Sequence, residues 1–176
     1  MGLPNNYKWL EKETGPKMLI EALKLYGTKE MPGDKDNPEI LEWAKETGLD
    51  RVYSADEIPW CGLFMAVIAK RAGKDVPENP LWARNWAKFG QKVAKGGLGD
   101  VLVFRRGNGG HVGLYIGEDK TSFHVLGGNQ SNAVIITRIL KTRLLAIRRP
   151  NWKISQPESV RSIELNAVGI ISTNEA

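Results

Sequence analysis

The chain changes its hydrophobic pattern near Gly99, with helical spacing before this residue and short strand-like runs after it. Before Gly99, apolar residues recur three or four positions apart in segments that end at glycine. After it, β-branched and aromatic residues form short runs between glycine, asparagine or charged turns. Helices followed by an antiparallel meander of strands predict an α+β fold.

The predicted helices cover residues 15–27, 37–48, 59–73 and 80–90. Asn37 suits the N-cap of the second helix because its side chain can accept a hydrogen bond from the first turn, and Pro38 fits the first helical position. Pro59 is expected to begin the third helix. The predicted strands are "DVLVF", "HVGLYIG", "SFHVLGG", "AVIITRI" and "LLAIRR", with "AVGIIS" near the C-terminus as a candidate sixth.

The composition fits a single globular domain, since 176 residues of which 41% are hydrophobic and 26% charged can bury a sizeable core. The single cysteine excludes an intramolecular disulfide and a thiolate-rich zinc cluster. Asp34, Asp36 and Glu39 lack the glycine of an EF-hand loop, so we expect them to cap a helix, and no metal or cofactor is predicted. Neither an export signal nor an apolar run of about 20 residues is visible, which predicts synthesis in the cytoplasm and no stable membrane insertion.

Positive charge is concentrated late in the chain. The net charge is +5, and residues 138–153 carry six basic side chains and no acidic one. This stretch is either a solvated face of alternating strand residues or a surface for a polyanion such as an anionic cell envelope. The chain has neither an aromatic-interleaved RNA signature nor zinc-finger spacing, so nucleic acid is not an expected partner.

The only cysteine, Cys61, lies in "DEIPWCGLF", where the third helix is expected to begin. A thiol of ordinary pKa, about 8.5, becomes a good nucleophile only where its surroundings favour the thiolate. A helix N-terminus supplies partial positive charge and unpaired N–H groups, which also suit the oxyanion of a tetrahedral intermediate. Cys61 is therefore a candidate nucleophile, and the competing interpretation is a small residue packed in the core.

His111 is the candidate base, because it begins a strand after the glycine-rich turn in "RRGNGGHVGLYIG". A catalytic histidine needs its second ring nitrogen held by an orienting group. The competing interpretation is a hydrogen-bonded structural histidine.

The register of the next hairpin indicates which residue orients His111. If "EDKTS" is the turn, Gly117 faces Phe123, and His111 faces Asn129 on the same side of the sheet. Asn129 is therefore the preferred orienting residue. The lesser candidates are Gln130 and Gly128, which a one-residue slip in register would select, and His124, which we expect to point to the other face.

Several segments in this order resemble one family. "PWCGLF", "WARNWAKFG", "GDVLVFRRGNGGHVGLYIGE" and "VLGGNQSNAV" together resemble the CHAP/NlpC-type papain-like cell-wall hydrolases, and among these the single-domain, phage-associated branch. The upstream segment "LYGTKEMPGDKDNPEILEWAKETGL" is similar to the same branch. The resemblance covers about residues 16–150, which leaves an N-terminal extension, 1–15, and a C-terminal tail, 151–176, that is too short for a separate binding domain.

The resemblance implies a papain-like cysteine hydrolase whose N-terminal helices pack on an antiparallel sheet of about five or six strands. The family's nucleophile carries over to Cys61, its base to His111 and its third, polar residue to Asn129. The third assignment departs from relatives that use His, Glu or Asp at this place.

Further candidates line the expected substrate groove. Some CHAP-type relatives place a polar oxyanion residue a few positions before the cysteine, where this chain has Asp56 and Glu57, although either also suits a helix cap. Trp60, next to the nucleophile, and Gln130 are the other groove candidates. Trp82 and Trp86 are four positions apart, which is more typical of core residues on one helical face.

The function that the resemblance implies is cleavage of an amide bond in bacterial peptidoglycan, by a monomer, as an N-acetylmuramoyl-L-alanine amidase or a stem-peptide endopeptidase. A phage endolysin would reach the cell wall, in the periplasm or envelope, through a holin-type pore or by injection. The alternatives are an interbacterial toxin of the same chemistry, a papain-like acyltransferase, and a non-catalytic module that binds the cell wall or another polyanion through residues 138–153.

Overall fold

The structure, a computed structural model, describes residues 2–33, 35–55 and 58–175. It is a mixed α+β fold, as predicted. The α-helices are α1 (Lys17–Lys24), α2 (Pro38–Thr47) and α3 (Cys61–Arg71), and 3-10 helices cover Asn5–Lys12, Ala83–Lys88 and Lys141–Arg143. The strands are β1 (Gln91–Lys92), β2 (Val101–Arg106), β3 (Gly109–Glu118), β4 (Ser122–Gln130), β5 (Ala133–Leu140), β6 (Leu144–Arg149) and β7 (Ile171–Ser172).

Local sequence signals account for the boundaries of α2. The side chain of Asn37 accepts a hydrogen bond from the backbone N–H of Glu39 at 2.8 Å, which confirms the predicted N-cap. At the other end, Gly48 adopts the left-handed conformation, with φ of 72°, that a glycine C-cap requires. α3 begins at Cys61, two positions after the predicted Pro59, and Trp60 occupies its N-cap position. This start makes Cys61 the first residue of the helix.

The seven strands form one sheet in the order β1-β6-β2-β3-β4-β5-β7, in which neighbours are antiparallel except for the parallel pair β5–β7. The sheet is larger than the five or six strands expected. The additional strand is β1, which consists of two exposed residues paired with β6 and is too short to show an alternating pattern in sequence. β7 lies within the predicted candidate strand "AVGIIS".

α3 is the central helix of the fold. All of its residues from Cys61 to Ala69 are buried, and it contacts α1, α2, β3 and β4. A helix that is apolar on every side must be covered on every side, which explains why α3 lies between the other helices and the sheet. A second, smaller apolar cluster is formed by side chains of β2, β3, β4, β5 and β6, among them Leu102, Phe104, Tyr115 and Phe123.

Both predicted terminal segments pack against the rest of the protein. Leu10 of the first segment is fully buried in the main core, and the hydroxyl of Tyr7 hydrogen-bonds His124. In the tail, buried Glu175 forms a bidentate ion pair with Arg143 at 2.7 and 2.8 Å. Within the described ranges, no helix is both long enough and apolar enough to cross a membrane.

The basic stretch 138–153 is engaged within the protein. Arg138 pairs with Asp119, Lys141 with Glu118, Arg143 with Glu175 and Arg149 with Asp100, while Arg148 donates to the carbonyl oxygens of Phe89 and Gly90. These cations therefore stabilise the sheet and its connections. Four of the six cations are thus paired with carboxylates, whereas Lys153 is exposed. This pairing reduces the charge that the stretch can offer to a polyanion.

Candidate active site

Cys61 lies where α3 meets the sheet. Its side chain is buried, with 3% of its surface exposed, and its sulfur interacts with the backbone N–H groups of Cys61 itself and of Gly62, which begin the helix. The N–H of Val112 in β3 interacts with the same sulfur. Strand β4 comes close to this end of α3 at Gly128, where a Cβ would lie 2.6 Å from the Cβ of Phe64. A glycine at position 128 therefore lets the start of the helix rest on the strand.

His111 lies in β3, directly before Val112, and is fully buried. Its Nε2 is 2.9 Å from Oε1 of Gln130. The side-chain nitrogen of Gln130 donates to the carbonyl oxygens of Val125, at 3.0 Å, and Ile135, at 2.6 Å. Because both amide hydrogens are used in this way, the orientation of the amide is determined, and Oε1 must accept a hydrogen from His111 Nε2.

This hydrogen bond defines the protonation of the His111 ring. A neutral imidazole that carries its proton on Nε2 has an unprotonated Nδ1 with a free lone pair. Nδ1 of His111 is buried and has no hydrogen-bond partner among the described residues. A buried polar atom without a partner is uncommon and costs free energy, and a catalytic role is one explanation for it. His111 directly precedes Val112, whose backbone N–H is one of the groups that lower the pKa of the Cys61 thiol.

The orienting contact predicted for Asn129 is made by Gln130 instead. β3 and β4 pair as expected at Tyr115 with Val125, but Gly117 pairs with His124 and not with Phe123. Further along β4 the pairing is irregular between Gly127 and Gln130, where Asn129 adopts a left-handed conformation with φ of 55°.

A residue in this conformation interrupts the alternation of side chains along a strand. Consequently Gln130 points to His111, and the buried Oδ1 of Asn129 has no hydrogen-bond partner in the part of the chain that the structure describes. Gly127 leaves room for this contact, since a Cβ there would lie 2.7 Å from Oε1 of Gln130 and 3.3 Å from Nε2 of His111.

Burial dominates the electrostatics of the site. It raises the pKa of the Cys61 thiol, and the Arg106 guanidinium and the three backbone N–H groups oppose this rise without overcoming it. Burial also lowers the pKa of His111 from 6.5 to about 4, against the opposing charge of Glu175. Both shifts favour the uncharged forms of the two groups, a neutral thiol and a neutral imidazole.

A cleft of ≈ 460 Å³ opens beside Cys61. Its described lining consists of Val52, Ile58, Pro59, Cys61, Leu81, Trp82, Ala83, Arg84, Arg106, Asn108, Gly109 and Gly110. Trp82 is 75% exposed and forms part of this wall, contrary to the prediction that it is a core residue. It precedes the 3-10 helix Ala83–Lys88, so it does not share a helical face with Trp86, which is buried as predicted.

Trp60 is not a wall of the cleft. It is fully buried, its ring lies against Trp43, and its indole nitrogen donates to Glu30 at 3.0 Å. As the N-cap residue of α3 it points into the helical layer, while the next residue, Cys61, faces the cleft. Gln130 is fully buried and is not part of the described lining of the cleft. The other two groove candidates, Asp56 and Glu57, lie outside the described residues.

Two charged residues near the site were not identified from sequence. Arg106 ends β2, and its pairing with Gly109 brings it close to the start of β3. Its position three residues before that strand was an available signal. Glu175 is the residue whose charge most opposes the lowering of the His111 pKa. It comes from the far end of the chain, and no local pattern indicates its proximity.

We looked for a metal-binding group among the described residues and for similar proteins of known function. The described residues include no group of three or more His, Cys, Asp or Glu side chains arranged to hold a metal ion, and Asp34 of the acidic stretch lies outside them. Comparison with models of known protein families gave no match, and comparison with curated proteins gave no significant match either.

Proposed function

We propose that this protein is a cysteine hydrolase in which Cys61 is the nucleophile, His111 the base and Gln130 the residue that orients the base. One observation carries the proposal: Gln130 holds Nε2 of His111 and leaves Nδ1 buried and unpartnered, and His111 directly precedes Val112, whose backbone N–H lowers the pKa of the Cys61 thiol. The structural histidine of this protein, His124, has both ring nitrogens hydrogen-bonded, as buried polar groups usually do. A thiol, an open imidazole nitrogen and an orienting amide are the parts that nucleophilic catalysis by cysteine requires.

The reaction begins from the neutral pair. Nδ1 of His111 takes the thiol proton as the sulfur attacks the carbonyl carbon of an amide, and the carbonyl oxygen becomes an oxyanion. The N–H groups at the start of α3 are donors for that oxyanion. His111 then gives its proton to the leaving amine, and a thioester forms. Water, activated by His111, hydrolyses the thioester and restores the thiol.

Gln130 keeps the imidazole in the required tautomer throughout. Its Oε1 accepts from Nε2, so in the neutral ring the free lone pair is on Nδ1. The same hydrogen bond stabilises the imidazolium that forms when Nδ1 takes the thiol proton. The two carbonyl oxygens that hold its amide nitrogen prevent the amide from turning over. In this assignment Gln130 replaces Asn129 as the third catalytic-site residue.

We propose bacterial peptidoglycan as the substrate, through cleavage of a lactyl–alanine or stem-peptide amide. This part of the proposal rests on the resemblance of "PWCGLF" and "GGHVGLYIGE" to the cysteine and histidine segments of CHAP/NlpC-type hydrolases. A papain-like domain acting as a monomeric phage endolysin is the corresponding biological role. The internal pairing of residues 138–153 weighs against the alternative of a polyanion-binding module that uses their charge.

The test is digestion of purified peptidoglycan by the purified protein, followed by mass spectrometry of the soluble fragments, which also identifies the cleaved bond. We expect cleavage by the wild type and a loss of about a thousandfold or more in Cys61→Ala and Cys61→Ser. The serine variant is the matched control, since it preserves the shape of the site and removes only the thiol.

The chain contains one cysteine, so alkylation by iodoacetamide modifies Cys61 alone and its extent follows directly from the intact mass. Activity should fall in proportion to that extent. Undiminished cleavage by Cys61→Ser would exclude the mechanism. Binding of the wild type to peptidoglycan without any cleaved bond would favour the non-catalytic alternative.

A further inference from the structure

We propose that the guanidinium of Arg106 binds a carboxylate of the substrate in the cleft beside Cys61, so that the protein selects amides that adjoin a free carboxylate. The identity of the amide rests on the function proposed above, whereas the carboxylate site is a property of the cleft itself. The evidence is the state of the Arg106 side chain, the charge of the cleft and the position of Arg106 relative to the two reactive residues.

Arg106 differs from the other arginines of the described residues in having a buried side-chain nitrogen without a hydrogen-bond partner. Its Nη1 is buried and has no hydrogen-bond partner among the described residues. By contrast, Arg84, which lines the same cleft, donates from Nε to the carbonyl oxygen of Gly109 at 2.8 Å. A buried guanidinium nitrogen without an acceptor carries a desolvation cost that a bound acceptor would remove.

The cleft favours an anionic acceptor. Its described lining residues include two arginines and no aspartate or glutamate, and the remaining lining is mostly apolar. The planar guanidinium matches a carboxylate in two parallel hydrogen bonds, and a low-dielectric wall strengthens the attraction. Trp82, exposed in the same wall, offers a flat apolar surface for the adjoining part of a peptide.

Arg106 and Cys61 line the same cleft, so a ligand of Arg106 lies beside the nucleophile. Its charge acts on the Cys61 thiol and also on the His111 imidazole. It is also the last residue of β2, paired with Gly109 at the start of the strand that carries His111. A carboxylate held by Arg106 therefore belongs to a residue at or beside the cleaved amide.

The first test uses two alkylating reagents and needs no substrate. Iodoacetate and iodoacetamide differ only in carrying a carboxylate or a carboxamide. Each forms a bond from the Cys61 sulfur to its methylene carbon and releases iodide, while the thiol proton passes to a base. The measured quantity is the ratio of the two rate constants, in which any effect of a mutation on the fraction of thiolate cancels because both reagents attack the same thiolate.

We expect Arg106→Ala to lower the iodoacetate-to-iodoacetamide ratio roughly fivefold or more, because the attraction for the carboxylate is lost. Arg105→Ala is the matched control, since Arg105 is exposed, adjacent in β2 and absent from the cleft, and its substitution removes the same charge. An equal ratio in wild type and Arg106→Ala, or an equal fall in both variants, overturns the proposal. If Arg106→Ala does not fold, Arg106→Gln provides the uncharged comparison, and a wild-type ratio that is insensitive to salt counts against the site.

The second test uses a substrate, once the cleaved bond is known. Two synthetic stem peptides are compared that are identical except that the carboxylate beside the scissile amide is free or amidated. We expect the wild type to prefer the free carboxylate in kcat/KM by roughly tenfold or more, and Arg106→Ala to lose that preference. Cleavage with an unchanged preference in Arg106→Ala overturns the carboxylate site and leaves the hydrolase intact. Absence of cleavage by the wild type overturns the hydrolase, and the alkylation ratio still decides the carboxylate site.

Discussion

The two histidines of this protein lie on neighbouring strands and are both buried, yet their surroundings differ. His124, in β4, has both ring nitrogens engaged, Nδ1 with the hydroxyl of Tyr7 at 2.7 Å and Nε2 with Asp119 at 2.8 Å. His111, in β3, has Nε2 bound to Gln130 and no described partner for Nδ1. Burial lowers the pKa of both. The free nitrogen of His111, and not its burial, is therefore what distinguishes it.

The comparison separates a structural from a reactive histidine. Asp119, which also accepts from Nε of Arg138 at 2.8 Å, makes His124 part of a closed polar network that ties β4 to β5 and to the N-terminal segment. A fully satisfied buried network rigidifies a fold. His111 instead has one nitrogen available to accept a proton. Three predictions follow from this difference, from the largest expected effect to the smallest.

The largest effect is expected from replacing each of the two histidines by glutamine in turn. His111→Gln should lower the rate of amide cleavage by about a thousandfold, because the side chain can still donate to Gln130 and cannot accept the thiol proton. The measurement is kcat on the substrate identified by digestion of peptidoglycan.

His124→Gln is the control for this experiment. It should leave kcat of the folded enzyme close to that of the wild type and lower the free energy of unfolding by about 2 kcal/mol, since hydrogen bonds to Asp119 or Tyr7 are lost. Urea unfolding measures that loss. An inactive His124→Gln with wild-type stability would contradict the division between the two residues.

The second effect concerns stability in acid. Because burial lowers the pKa of His111 to about 4 from 6.5, the unfolded chain binds a proton between these values that the folded chain does not. The stability from the neutral buried ring is complete above pH 6.5 and is lost as the pH falls through about 4. The loss attributable to His111 reaches up to about 3 kcal/mol.

The measurement is the free energy of unfolding of the wild type and of His111→Gln from pH 7 to 4, where other titrating groups cancel in the difference. The wild type should lose more stability than the variant as the pH falls. The corresponding difference for His124→Gln should be smaller, because the hydrogen bond and charge of Asp119 oppose the lowering of the His124 pKa. Parallel curves for wild type and His111→Gln would contradict the buried neutral ring.

The smallest effect is expected from substitutions of Gln130 and Asn129, the two neighbouring amide side chains, which should change kcat to different extents. Gln130→Ala is expected to lower kcat roughly tenfold to a hundredfold by releasing the ring of His111. Gln130→Glu should move the acid limb of the pH–rate profile upwards, since a carboxylate beside Nε2 raises the pKa of His111. Asn129→Gly, which keeps the positive φ, should retain activity. A larger loss in Asn129→Gly than in Gln130→Ala would return the orienting role to Asn129.

Sequence predicted the parts of the fold that depend on neighbouring residues. The cap at Asn37, the glycine that ends α2 and the positions of Cys61 at a helix start and His111 near a strand start were all predicted from local pattern, and the structure has them. These features depend on backbone geometry and hydrogen bonds within one or two turns. The pairing of β1 lacked such a signal and was missed.

Tertiary structure decided which side chains contact His111 and which line the cleft. The irregularity at Asn129 turns Gln130 towards His111, and packing buries Trp60 while exposing Trp82. Each outcome depends on which strand or helix lies opposite, a matter of register and packing between segments distant in sequence.

The stretch around Cys61 shows this division. Its sequence alone determined that a thiol would lie at the start of a helix, because proline and the following apolar spacing are local signals. The tertiary structure decided that this thiol is buried, which raises its pKa, and that it faces a cleft lined by Arg106. Burial and the approach of a charge from another strand are long-range properties, so no window of the sequence contains them.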